Sequence, residues 1–160
     1  MLLALEGVMT VFDAAAYILE QSGEMTAMKL QKLVYYSQSW SLVWDEEPLF
    51  EEPIQAWANG PVCPNLYDAH KGKFKVQRGS FAAGSPESLT QSQKDTIHEV
   101  LRFYGTKSAQ WLSDLTHLER PWQAARARAG VTEGQLCAEE ITLSDMHEYY
   151  SGLGSQAESK

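Results

Sequence analysis

Residues 28–44 read Met28-Lys29-Leu30-Gln31-Lys32-Leu33-Val34-Tyr35-Tyr36-Ser37-Gln38-Ser39-Trp40-Ser41-Leu42-Val43-Trp44, and from Leu33 onward twelve consecutive positions carry no charge. Thr26 is placed to cap the N-terminus of a helix over this stretch. Leu30, Leu33, Val34, Ser37 and Trp40 share one face of that helix, while Gln31, Tyr35, Gln38 and Leu42 share the adjacent one. A helix without a charged face is buried on most sides, so this segment belongs at the centre of the domain. Its polar side chains, Gln31, Ser37, Gln38 and Ser41, then need hydrogen-bond partners inside the fold.

The flanking sequence is punctuated as helices. Val11 to Gln21 has apolar residues at helical spacing and ends at Ser22-Gly23. Pro64 to His70 opens with a proline suited to a first helical turn. Thr90-Gln91-Ser92-Gln93 has the form of a capping box ahead of a stripe made by Ile97, Val100, Leu101 and Tyr104. Further helices are expected over Ser108 to His117, from Pro121 to Ala129 with Gly130 as the stop, and from Leu143 to Ser151 with Gly152 as the stop. Leu49 to Glu52 and Ile54 to Ala58 read as two short extended pieces, Asn59-Gly60-Pro61 as a turn, and Phe74 to Glu87 as an exposed loop. The expected fold is therefore mainly α: a single compact domain of about seven helices around a central buried one, with a small two-stranded β element. Its expected limits are residues 10–152, after an N-terminal extension over 1–9 and before a polar tail over 153–160.

The chain of 160 residues has the length of one domain, and with 44% hydrophobic against 21% charged residues it can bury a sizeable core. Acidic residues outnumber basic ones 21 to 13, a net charge of −8, which argues against direct nucleic-acid binding. The one basic cluster, Lys71, Lys73, Lys75 and Arg78, reads as a solvated loop. No apolar run is long enough to span a membrane. Two cysteines, Cys63 and Cys137, without ligand or disulfide spacing, suit a reducing cytoplasm.

Signals for chemistry are weak throughout. The histidines stand 28, 19 and 30 residues apart, no cysteine pair has metal-ligand spacing, and no metal or other cofactor is expected. There is no nucleophile elbow, no S-x-x-K and no glycine-rich phosphate loop. Cys63, at a helix start, is a mild nucleophile candidate but suits turn packing better. The pairs Glu46-Glu47 and Glu51-Glu52 are neighbours on the chain and do not face each other across a cleft; they read as solvated charge that could serve a basic partner. No catalytic residue is nominated. Half-exposed aromatics near element ends, Trp44, Tyr67, Tyr149 and Tyr150 among them, suit interface anchors instead.

Three blocks in order, Met28 through Gln38, then Pro48-Leu49-Phe50, then Ile54-Gln55-Ala56-Trp57-Ala58-Asn59-Gly60-Pro61-Val62 with Leu66-Tyr67, closely resemble the Panacea domain of the SocA-like family, also known as phage-associated GepA-like proteins. Pro121-Trp122 and the stretch from Ile141 to Tyr150 resemble the family's later elements more loosely. The resemblance implies an antitoxin of a bacterial or prophage toxin–antitoxin pair, without enzymatic activity, that neutralises a cognate protein toxin by direct binding in the cytoplasm. One alternative comes with it, an adaptor that delivers a toxin to a ClpXP-type protease; the rival from another class is an enzyme acting on a toxin's target or modification, which a pocket gathering Gln31, Tyr35, Gln38 and His70 would support. Carried over position by position, the partner-binding candidates are Lys29, Gln31, Lys32, Tyr35, Gln38 and Tyr67, joined by Trp44, Lys71 and Lys73. Leu30, Leu33, Trp57, Gly60, Pro61 and Val62 form a structural signature. For Lys29, Gln31, Lys32 and Gln38, packing and partner contact are both open.

Overall fold

The computed structural model describes residues 9–159, with side chains through Gly154. The expected N-terminal extension therefore lies outside the described residues except for Met9, which is buried in the core. The described residues form seven α-helices and two two-stranded antiparallel sheets. The helices are α1 (Val11–Ser22), α2 (Ala27–Trp44), α3 (Pro64–His70), α4 (Gln91–Tyr104), α5 (Ala109–His117), α6 (Arg120–Ala129) and α7 (Leu143–Ser159). The strands are β1 (Met25–Thr26), β2 (Gln55–Trp57), β3 (Gly60–Val62) and β4 (Lys75–Val76). The domain is mainly α, as expected.

Local signals start these helices where the sequence puts them. The Thr10 and Thr90 hydroxyls accept from the amides of Asp13 and Gln93, whose side chains accept in return from the amides of Thr10 and Thr90. Thr26 Oγ1 accepts from the Lys29 amide at 3.1 Å, and Ser108 Oγ from the Trp111 amide at 3.0 Å. Gly130 closes α6 in the left-handed conformation.

Helix α2 lies at the centre, packed against α1, α4, α5, α7 and β3. Leu30, Leu33 and Val34 are fully buried. Most of its buried polar groups are answered from within. Gln38 Oε1 accepts from the amides of Leu49 (2.7 Å) and Phe50 (3.3 Å), while its Nε2 donates to the Phe50 carbonyl at 2.8 Å. Two turns earlier on the same face, Gln31 Oε1 accepts from the Cys63 amide at 2.9 Å and its Nε2 donates to the Cys63 carbonyl at 3.3 Å. Each amide side chain thus pairs with a passing backbone as a strand would. Ser41 Oγ donates to the Glu47 carbonyl, and Ser37 Oγ is buried without a partner among the described residues.

On another side of α2, the buried Glu119 Oε1 accepts from the hydroxyls of Tyr36 and Tyr150, both at 2.7 Å. Tyr150 OH lies 3.0 Å from Tyr35 OH, and the Tyr36 ring stacks on Tyr104 with centroids 4.0 Å apart. One carboxylate thereby links α2, the start of α6 and α7. Burial raises the Glu119 carboxyl above its ordinary value, against the opposing pull of the two tyrosine hydrogen bonds.

Four expectations are corrected. Leu49 to Glu52 is not a strand, because Gln38 takes up the backbone groups of residues 49 and 50. The partner of β2 is instead β3, with Gln55 opposite Val62 and Trp57 opposite Gly60, so the turn is Ala58-Asn59 and Gly60-Pro61 already belongs to the strand. The stretch from Phe74 to Glu87 is not wholly exposed: β4 pairs with β1, and Val76, Phe81 and Pro86 are buried. Helix α7 continues through Gly152 to Ser159, with Leu153 packed against the core, so the expected stop and the described part of the expected tail, residues 153–159, belong to a helix. Gly152 has open space around it, so nothing there forces a stop.

The Glu119 cluster makes a test of the core. Glu119→Gln keeps an oxygen for both tyrosines and should change stability by about 1 kcal/mol or less, whereas Glu119→Ala strands two buried hydroxyls and should cost about 3 kcal/mol or more. Because the folded protein holds the Glu119 proton more tightly than the unfolded chain, the wild type should lose stability relative to Glu119→Gln as pH rises from about 4.3. Urea unfolding of the three proteins across pH 4–8 checks both.

Candidate functional site

The first turns of α2, the β2–β3 hairpin, helix α3 with the turn after it, and residues 136–138 enclose an open groove of about 870 Å³. This volume is in the range of ligand and peptide sites. Its walls are mostly apolar. Trp57 and Tyr67 meet edge to face with centroids 4.9 Å apart, and Tyr67 also packs on His70. Phe74 (77% exposed), Leu136 (91%) and Met28 (39%) stand at the rim, so three exposed large apolar side chains border one cavity.

The groove is held by its neighbours in the fold. Gln31, through Cys63, fixes the junction of β3 and α3. Trp122 Nε1 donates to the Trp57 carbonyl at 2.8 Å. Arg126, buried, donates to the carbonyls of Ala56, Thr132 and Gln135 at 2.7–3.0 Å and lies over the Trp122 ring. It thereby ties the segment leading to Leu136 onto β2. Backbone bonds from Ala56 to Glu139 and from Ile141 to Ile54 complete that wall.

Lys32 lines the floor of the groove and is 1% exposed. Its Nζ donates to the Pro61 carbonyl at 3.3 Å, and no carboxylate pairs with it among the described residues. Burial pulls its ammonium down to about 8. Gly60 accommodates it. With φ at +121°, Gly60 has a conformation other residues rarely adopt, and a Cβ there would stand 2.6 Å from Lys32 Cε and 3.0 Å from Thr116 Oγ1. His70 Nε2 lies 3.0 Å from Gln31 Nε2, and burial pushes both His70 and His117 below the ordinary histidine value, which disfavours charge on either.

Five of the nine partner-binding candidates, Gln31, Lys32, Tyr67, Lys71 and Lys73, come together at this groove, with Trp57 and Val62 from the structural signature. The other four lie elsewhere. Lys29 Nζ donates to the Gly105 carbonyl at 2.7 Å. Tyr35 is enclosed beside Tyr150, and Gln38 is occupied by residues 49–50; neither lines the groove. Trp44 is half exposed, stacked on Trp40 and about 24 Å from Met28 along α2. Gln31 and His70 touch, but Gln38 and Tyr35 do not join them, so the four side chains named for an enzyme pocket do not form one. Among the described residues, no three His, Cys, Asp or Glu side chains group as metal ligands, and no helix is long and apolar enough to cross a membrane. Burial raises the Cys63 thiol to about 11, away from the thiolate a nucleophile needs.

The rim residues Met28, Phe74 and Leu136 escaped sequence analysis. An exposed Phe74 between Lys73 and Lys75 was the available signal, because an aromatic side chain in a solvated lysine run has no packing reason to be there.

Compared with known proteins, residues 30–123 match the family model described as Antitoxin SocA-like, Panacea domain. No curated protein and no solved structure matches the chain.

The buried lysine gives a pH signature of the site. Its pKa is lower in the folded protein than in the unfolded chain, so stability should rise as pH climbs from about 8 towards 10.4, where the unfolded lysine loses its proton. Lys32→Met, of similar volume and uncharged, should lack this rise. Denaturant unfolding of both proteins between pH 7 and 10 measures the difference, and the Lys32 Cε resonance should titrate near 8.

Proposed function

The chain belongs to the SocA-like, Panacea-domain antitoxin family, and from that premise we propose that it neutralises a cognate protein toxin by direct contact, with the groove as its docking face. The observation that carries this reading is the convergence, inside the matched region, of Gln31, Lys32, Tyr67, Lys71 and Lys73 on a cavity with an exposed apolar rim. Buried aromatic walls, apolar side chains held out into water and a polar surround make the arrangement of a protein-binding hot spot. The toxin is bound in the cytoplasm as a stoichiometric complex and no bond is made or broken. At longer range the net charge of −8 speeds encounter with a basic toxin.

Co-expression of this chain with the small protein encoded beside it tests the proposal. Growth should be rescued and a stable complex near one to one should copurify. Phe74→Asp and Leu136→Asp, both at exposed positions, should leave thermal stability unchanged and weaken the complex about tenfold or more, while Phe103→Ser, exposed outside the groove, should not. Rescue without a complex, accompanied by protease-dependent loss of the toxin, would point to delivery for degradation in place of sequestration.

A further inference from the structure

The groove opens where two paired stretches of chain part. Gln55 lies opposite Glu140 in an antiparallel bridge, closed by bonds from the Ala56 amide to the Glu139 carbonyl (2.9 Å) and from the Ile141 amide to the Ile54 carbonyl (2.8 Å). Carried on in that register, Trp57 would face Ala138 and Asn59 would face Leu136. The two sides take different courses instead. The Trp57 carbonyl accepts from Trp122 and the Asn59 carbonyl from Ser113, whereas no backbone amide or carbonyl of Leu136, Cys137 or Ala138 has a partner among the described residues. Over residues 136–139 the chain makes neither turn nor bend, and it is fastened at both ends, by Arg126 at the Gln135 carbonyl and by Ala56 at the Glu139 carbonyl. Leu136, Cys137 and Ala138 all line the groove. One wall is therefore an extended, fastened edge with no strand beside it.

Another part of the lining carries a charge opposite to that of the whole chain. Acidic residues outnumber basic ones 21 to 13, yet no acidic residue lines the groove, and Lys71 and Lys73 stand exposed in it. Lys73 Nζ donates to the Ser80 carbonyl at 2.9 Å, and neither lysine pairs with a carboxylate among the described residues. The exposed Lys75 and Arg78 extend the same run. Both ammonium groups are open to a partner.

On the reading that this groove docks a protein, we propose that the partner enters it as an extended segment that pairs its backbone with residues 136–138 and sets a carboxylate against Lys71 and Lys73. Side chains alternate along a strand, so one set packs on Trp57, Tyr67 and Phe74 while the backbone bonds form at the wall. A helix is a poorer match. Its own backbone is already paired, and it would take the amides and carbonyls of the wall out of water unanswered. Because the wall is fastened before the partner arrives, pairing costs it little freedom. The charge match belongs to this segment alone, and the acidic excess of the remaining surface still favours a partner that is basic elsewhere.

Blocked tetrapeptides titrated into the full chain at pH 7, with NMR detection at the amides of residues 136–138 and the Trp57 indole, test this. They are Ac-Glu-Val-Leu-Val-NH2 and Ac-Val-Leu-Val-Glu-NH2, which offer the carboxylate at either end, their Gln counterparts, and forms N-methylated at one or the other central residue. The better Glu peptide should shift both sets of signals and slow amide exchange over residues 136–138. It should bind about threefold or more tightly than its Gln counterpart, a preference that Lys71→Ser combined with Lys73→Ser, both at exposed positions, should remove. Raising salt from about 0.05 M to about 0.5 M should narrow the same preference on the wild type, without any variant. Successive amides of a strand point to opposite sides, so one N-methyl form should bind about fivefold or more weakly and the other within about twofold of the parent. Equal Glu and Gln affinities, equal effects of the two N-methyl groups, or no response over residues 136–138 overturns the proposal. The titration uses this chain alone, so it can fail while growth rescue and copurification succeed, or succeed while they fail.

Discussion

A helix buried along most of its length cannot leave its polar side chains to water, and helix α2 carries many of them from Leu30 to Leu42. Each unanswered group would cost on the order of 1–3 kcal/mol, a large part of a domain's net stability. The fold answers them with three devices. The Glu119 carboxylate sits between Tyr36 and Tyr150 and joins the central helix to α6 and α7. Gln38 and Gln31, two turns apart, each take up the amide and carbonyl of a crossing segment. These contacts stand in for strand pairing, so a largely helical domain can anchor irregular backbone against its core.

The second glutamine links core to surface. By holding Cys63, Gln31 sets where β3 ends and α3 begins, and so where Trp57, Val62 and Tyr67 stand relative to the first turns of α2. Arg126 does the corresponding work on the opposite wall by fastening residues 132–135 to β2. Gly60 completes the arrangement: without a side chain it lets Lys32 lie against the hairpin, where a Cβ would stand 2.6 Å from Lys32 Cε. Of the signature positions, Trp57 and Val62 line the cavity, Gly60 and Pro61 shape the hairpin beside it, and Leu30 and Leu33 belong to the core beneath.

What the sequence made legible follows from how local each determinant is. Helix starts are encoded within four residues: Thr26 and Thr90 cap where the sequence places them, and Thr10 and Ser108 cap two further helices by the same local rule. The burial of α2 was legible from twelve uncharged positions. Strand pairing was not, because the choice between 49–52 and 60–62 as the partner of β2 depends on Gln38, a side chain distant in sequence that occupies the first candidate. Lys29 and Lys32 illustrate the same limit within one turn. Both are lysines in one motif, yet the helical twist sends one to the Gly105 carbonyl and the other to Pro61 at the groove floor. The groove itself is assembled from four separated segments, and Leu136 had no marker at all.

Docking at the groove is the claim on which the functional account rests, and hydrogen exchange of the chain alone and in complex with the protein encoded beside it tests it most directly. The account predicts slowed exchange in residues 26–32, 55–74 and 136–138, with the Trp40, Trp44 and Tyr149 end of the domain unchanged. Protection confined to that far end, with the groove segments exchanging as in the free chain, would contradict it.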